Sequence, residues 1–159
     1  MAVDFGQKLG FESDSLIGAL LMVQFIGFPM AIAFGWLGYR IGTRRAIFVA
    51  IAIYAGVTLW AYFLQTVTQF YMMAAAIGCV QGGIQALSRS YYARLIPEGH
   101  AGEFFGFYNM LGKFAAVIGP VLVGVTAVVS GSPRLSILSL LILFAAGAIL
   151  LARVPVQDA

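Results

Sequence analysis

Charge is what this sequence has least of. Only 9% of its 159 residues are Asp, Glu, Lys or Arg, while 62% are hydrophobic. A soluble domain carries about 25% charged residues, and a small one buries only part of the surface that its unfolded chain exposes. So apolar a chain cannot be kept from water by folding alone, which excludes an ordinary soluble domain; lipid as the solvent removes the difficulty. The scarcity is uneven. From Ala46 to Ser88 there is no acidic or basic residue at all. A membrane-spanning helix needs roughly 20 apolar residues, so this stretch is long enough for two spans.

Cysteine and histidine are nearly missing. Cys79 and His100 each stand alone, which excludes an intrachain disulfide and a zinc site of the usual kind. There is no Gly-x-x-x-x-Gly-Lys-(Ser/Thr) phosphate loop, so nothing points to ATP hydrolysis or to a bound cofactor. No nucleophile-and-base set is recognisable, and the chain does not read as an enzyme. No Asp or Glu lies deep in an apolar run, although carboxylates are common proton relays in transporters. Met1–Phe11 holds Asp4 and Lys8 without a long apolar core, unlike a signal peptide.

What is present is apolar length. Segments run from about Leu16 to Leu37, Ala46 to Leu64, Phe70 to Leu87, Phe104 to Val129 and Leu135 to Val154. They do not alternate as barrel strands must, so the expected fold is an all-α membrane protein of five transmembrane helices. The net charge of +3 does not point to nucleic acid, because most basic residues lie between the apolar runs, where they orient the chain. Arg40, Arg44 and Arg45 follow the first segment, Arg89 and Arg94 the third, and Arg153 lies at the end of the fifth. The second connection, Gln65–Gln69, is uncharged, and the fourth holds only Arg134. The N-terminus is therefore expected outside and the C-terminus in the cytoplasm, with the cell (inner) membrane as the expected location.

The first basic connection reads Gly35-Trp36-Leu37-Gly38-Tyr39-Arg40-Ile41-Gly42-Thr43-Arg44-Arg45. Its glycines permit close backbone approach and unusual dihedrals, and its arginines suit an anionic cytoplasmic surface. A loop that only fixes topology would look similar. The pattern resembles the loop signature of the major facilitator superfamily, matching at Gly35, Leu37, Gly38, Arg40, Gly42, Arg44 and Arg45, with Tyr39 where the family has Asp. A second stretch is more distinctive: Val80-Gln81-Gly82-Gly83-Ile84-Gln85-Ala86-Leu87-Ser88-Arg89-Ser90, then Glu103-Phe104-Phe105-Gly106-Phe107-Tyr108-Asn109, Gly112-Lys113 and Gly119-Pro120. It resembles the branch that contains fungal vacuolar amino-acid effluxers and their bacterial relatives. The resemblance implies twelve helices in two halves, with the five here as most of the C-terminal six-helix bundle, roughly helices eight to twelve. Residues 1–13 would then be an outer loop or the tail of a preceding helix, and 1–159 a single transmembrane domain.

The polar residues inside the spans carry the functional expectation. Gln81, Gln85 and Ser88 share one helical face, and Ala74, Gly78 and Gly82 form a small face suited to close helix packing. The glutamines, like Gln24, read as interhelical glue or as cavity lining. Lys113, one turn after Asn109, is costly in a span, by roughly 2.5–3.5 kcal/mol on insertion scales. It either snorkels to the headgroups or faces a cavity and a solute. Pro29, and Pro120 after Gly119, are expected to bend their helices.

The expected function is part of a secondary transporter, a major facilitator type permease. It would move a small solute, possible amino acids included, by alternating access. Its partners would be the lipid bilayer, the solute and an N-terminal transporter half; nucleic acid is not among them. The alternative is a truncated, non-transporting membrane module or scaffold. Further helices encoded in frame ahead of Met1 would separate the two.

Overall fold

In hydrocarbon, every backbone N–H and C=O must be satisfied within the protein. The computed structural model, which describes residues 13–154, satisfies them with helices, and the described residues contain no strand. The elements are α1 (Ser13–Ile41), α2 (Thr43–Tyr62), α3 (Val67–Leu95), α4 (Ala101–Ser130), α5 (Pro133–Leu138) and α6 (Leu140–Arg153). Five stretches are long and apolar enough to cross a membrane, the last of them Arg134–Arg153. The protein is an integral, multi-pass membrane protein. The expectation for residues 1–13 falls, Ser13 apart, outside the described residues.

The helices outrun their apolar cores. α1 passes the end of its apolar run at Leu37 and continues to Ile41. There Arg40 suits the negative C-terminal end of the helix and stacks on Trp36, 4.2 Å from the ring centroid. The loop expected between the first two spans shrinks to Gly42 alone, whose φ of 90° is open to glycine and strained for other residues. α3 likewise runs past Leu87 to Leu95. It starts at a capping box: the Gln69 amide N–H donates to Thr66 Oγ1, and the Thr66 N–H donates back to Gln69 Oε1. The expected fifth span is divided at Ser139. There the amide N–H and the hydroxyl of Ser139 both donate to the Ser136 carbonyl, the hydroxyl at 2.6 Å, which tightens one turn. Pro29 and Pro120 both lie inside helices that continue through them.

The bundle is held by α1 against α3, running parallel. A side chain at Gly82 would run into the carbonyl of Gly27, and one at Gly78 would stand 3.0 Å from the carbonyl oxygen and 3.1 Å from the Cα of Val23. Because lipid is as apolar as the side chains, such close contact drives association in a membrane. Two apolar clusters extend this seam. Leu16, Ala19, Val57, Leu64, Phe70 and Met73 pack at one end, and Phe34, Ala46, Ile47, Ala50, Val80 and Leu87 at the other.

Two arginines fasten α2 to the last span, one at each end. Arg44, near the start of α2, donates from Nη2 to the Ala152 carbonyl at the end of α6, at 2.7 Å. Arg134, near the start of α5, donates from Nη2 to the Leu64 carbonyl just beyond α2, at 3.0 Å, and from Nη1 to the Tyr62 carbonyl, at 3.4 Å. Each occupies carbonyls that a helix end leaves unpaired. This accounts for the single basic residue in an otherwise uncharged pair of connections.

α4 stands apart. None of its residues is buried within the chain. It leans on α5 and more lightly on α6, and meets α3 through aromatic rings at one end.

The seam makes a direct prediction. Gly82→Leu should destabilise the bundle by about 1–3 kcal/mol, the usual effect of overpacking. Gly124→Ala, where an added Cβ meets nothing within 4 Å, should be close to neutral. Thermal unfolding in detergent, followed by size-exclusion fluorescence, checks the pair; equal midpoints would refute the seam.

Candidate functional site

The face that α3 offers to α1 does not stay covered along its whole length. Gly78 and Gly82 meet Val23 and Gly27, but further along α1 touches Gly83 with Phe34 and Leu87 with Gly38. At 3.6 residues per turn, Gly83 and Leu87 lie far around the helix from Gly78. Gln85 and Arg89, by contrast, fall within about 20° of Gly78 on the same wheel. As α1 crosses to the other flank, it leaves the line of Gln85 and Arg89 bare.

A cavity of about 470 Å³ opens there, lined by Gln85, Arg89, Tyr108, Asn109, Gly112, Lys113 and Ala116. The α4 residues in this list recur at helical spacing and form one face. Gly112 and Ala116 are small and make room between the polar side chains. The opposite face of α4 carries Phe107, Leu111, Phe114 and Ile118, all exposed, which suits lipid. α4 is thus two-sided inside its span, polar toward the cavity and apolar away from it.

Position along the helices places Lys113 deep. α4 has 30 residues, or about 45 Å of helix against a hydrocarbon core of about 30 Å. Lys113 lies within one turn of the middle of α4. From Ala101, at the arginine-rich end, it is about 18 Å along the axis. Arg89 is only about 9 Å from Leu95, the last residue of α3 at the same end. The cavity therefore carries one cation near its mouth and one further in, with amides at an intermediate depth.

Its wall has acceptors and no acid. Among the described residues, neither Arg89 nor Lys113 has a hydrogen-bond or ion-pair partner, and no Asp or Glu lines the cavity. Arg40, Arg44 and Arg134 differ, since each is engaged with a ring or with carbonyls. Pro120 has no N–H, so it cannot donate to the carbonyl of Ala116, four residues earlier. That leaves a carbonyl oxygen without its usual helical donor on a residue of the cavity wall. Tyr108 is held in place by Tyr92, with ring centroids 4.8 Å apart. The Tyr92 hydroxyl donates to the Phe104 carbonyl at 3.0 Å and ties α4 to α3.

The residues singled out from sequence divide. Gln85, Asn109 and Lys113 come together in this cavity. Gln81 lies instead in a smaller, mainly apolar cavity of about 80 Å³ between α1 and α3, with Leu20, Val23 and Ile77. Gln24 is exposed on α1 and lies outside the cavity. Of the loop residues, Gly42 makes the turn, Gly38 is buried against Leu87, and Gly35 has open space around it. Arg40 and Arg44 brace helix ends, and Arg45 is exposed. Gly119, half-buried, precedes Pro120 within α4. Arg89 and Tyr108 were not legible as site residues. Arg89 borders an apolar run and reads as a topology charge; its spacing of four from Gln85 was the available signal.

The whole chain, residues 1–159, matches the family described as vacuole effluxer Atg22 like. It is 44% identical over 155 residues to YxiO, described as an uncharacterized MFS-type transporter, of Bacillus subtilis (strain 168), covering 98% of this chain and 36% of that protein. It is 34% identical over 116 residues to autophagy-related protein 22 of Cryptococcus neoformans var. neoformans serotype D (strain JEC21 / ATCC MYA-565), covering 73% of this chain and 20% of the relative. The protein of the same name in Neurospora crassa is 30% identical over 135 residues, covering 73% of this chain and 18% of the relative. The chain spans from about a fifth to about a third of the length of these curated relatives. No solved structure matches it. The family and the Bacillus relative are described as transporters, not enzymes.

The two-sided character of α4 can be read chemically. In a Cys79→Ala background, a cysteine at Asn109 should react with a hydrophilic, membrane-impermeant thiol reagent in inside-out vesicles. A cysteine at Ile118 should not. Equal reactivity at both positions would remove the water-filled cavity from this face.

Proposed function

The chain belongs to the vacuole effluxer Atg22-like family, and on that premise we propose that it supplies five helices of one half of a major facilitator type transporter. The cavity between α3 and α4 receives a small solute that carries a carboxylate, with amino acids as the leading candidates. The observation that carries this reading is the pair of unpartnered cations, Arg89 and Lys113, in a cavity that no acidic side chain among the described residues lines. A charge within a span is costly and typically marks a substrate or ion path. Inside a low-dielectric wall, an ammonium meeting a carboxylate gains more than it would in water.

The other wall of the solute path belongs to a second set of helices. In facilitator-type folds the site lies near the midplane between two repeats, and transport is rocking of one against the other. α4 suits a moving wall, since an element with no buried side chains has low local stability within its own chain. Snorkelling of Lys113, the competing reading, fits poorly with a residue so near the middle of a helix about 45 Å long. The proposed orientation has α1 entering from outside, the arginine-rich end in the cytoplasm and residence in the cell membrane. It rests on the placement of Arg40, Arg45, Arg89, Arg94 and Arg153 at one end.

Orientation is tested in intact cells with a membrane-impermeant thiol reagent. A cysteine at Gln65, exposed in the second connection, should be labelled; one at His100, exposed in the third, should not. The reverse pattern would invert the topology.

Solute binding is tested by uptake of labelled amino acids in vesicles containing the intact transporter at matched protein levels. Lys113→Gln should lower uptake at subsaturating solute by about tenfold or more, the scale of one charge-assisted hydrogen bond. Lys113→Arg should restore only part of it, because a planar guanidinium does not replace an ammonium in a shaped cavity. Wild-type rates in both variants would refute the role of Lys113.

A further inference from the structure

We infer that the solute of this cavity carries two carboxylates, as an acidic amino acid does. The inference rests on the reading of the cavity as a solute site and narrows it. A neutral amino acid has one carboxylate and needs one cation to meet it. This wall presents two cations, Arg89 and Lys113, both without partners among the described residues. Among the described residues, no acidic side chain shares the wall to neutralise either one. Both cations are exposed on the wall of this chain, and once a second set of helices closes over the site and water leaves, a solute with a single carboxylate would leave one of them uncompensated, which is unfavourable.

The two cations differ in kind and in depth. Arg89 presents a planar fork that fits a carboxylate with two parallel hydrogen bonds. Lys113 presents a compact charge that accepts many approach angles. Measured from the shared end of the two helices, their Cα atoms lie about 9 Å apart along the bundle axis. Both side chains are long and can reach toward one another, so the charged groups can bracket a solute of glutamate or succinate size. One carboxylate would sit at the Arg89 fork near the mouth, and the other at Lys113 further in.

The remaining wall suits an ammonium group on the same solute. The side-chain oxygens of Gln85 and Asn109 are acceptors, and the Ala116 carbonyl lacks its normal helical donor because residue 120 is proline. These neutral acceptors can hold an ammonium without cancelling the cations.

The test is equilibrium binding of labelled glutamate, succinate, leucine and inorganic phosphate to the purified intact transporter. Glutamate should bind at least about tenfold more tightly than leucine, with succinate also ahead of leucine. Arg89→Gln and Lys113→Gln should each remove that preference, bringing glutamate down to the level of leucine. Arg89→Lys, which keeps the charge and spares the fold, should lose only part of it. If leucine binds as tightly as glutamate and Lys113→Gln weakens both equally, the dicarboxylate inference is overturned while the carboxylate site stands. Phosphate binding more tightly than either dicarboxylate, and lost in both Gln variants, also overturns it and assigns the cations to a phosphoryl group. If no probe binds and neither variant has an effect, the inference fails together with the solute site beneath it.

Discussion

Everything in this bundle depends on how closely α1 approaches α3. Lipid offers no hydrophobic reward for bringing two apolar helices together, so contact must come from packing. Gly78 and Gly82 remove the side chains that would hold the backbones apart, and the carbonyl of Gly27 takes the space that a Cβ at Gly82 would need. That contact fixes the rotation of α3 about its own axis. The rotation in turn decides where Gln85 and Arg89 point, because they continue the line of Gly78 toward the arginine-rich end. The cavity-lining face of α3 is thus an extension of its packing face, exposed where α1 crosses to Gly83 and Leu87.

The arginines show the same economy of means applied to two ends. Arg44 and Arg134 each bond to carbonyls at the end of a neighbouring helix, so α2 and the last span are joined above and below. These side chains are committed to structure. Arg89 and Lys113 are not, and both line the cavity between α3 and α4. The looseness of α4 belongs to the same division. Its apolar side suits lipid, its polar side suits the cavity, and the Tyr92 cluster and the hydrogen bond to Phe104 tie it to α3.

Much of this was legible in the sequence, for definite reasons. Composition and run length are enough to set five spans, because hydrocarbon accepts few other solutions. The spacing of Gly78 and Gly82 announced a contact face, yet periodicity does not name Gly27 as the partner. Lys113 was conspicuous as a charge within a span. Arg89 was not, because an apolar run ends before a helix does: α3 continues for two further turns after Leu87. Gln81 and Gln85 share a face on the wheel, but α1 still covers α3 at the level of Gln81, so the two open into different cavities. The break at Ser139 and the role of Arg134 depend on bonds between distant or crowded groups that no local pattern encodes.

The central claim is that one face of α3 is dry and sealed at Gly78–Gly83 and gives way to a water-filled cavity walled by Tyr108–Ala116 of α4. Hydrogen–deuterium exchange of the intact transporter in lipid nanodiscs tests this most directly. The account predicts strong protection of the amides across Gly78–Gly83 and markedly faster exchange across Tyr108–Ala116, because the second segment is wetted and lightly anchored. Equal protection of the two segments would contradict it.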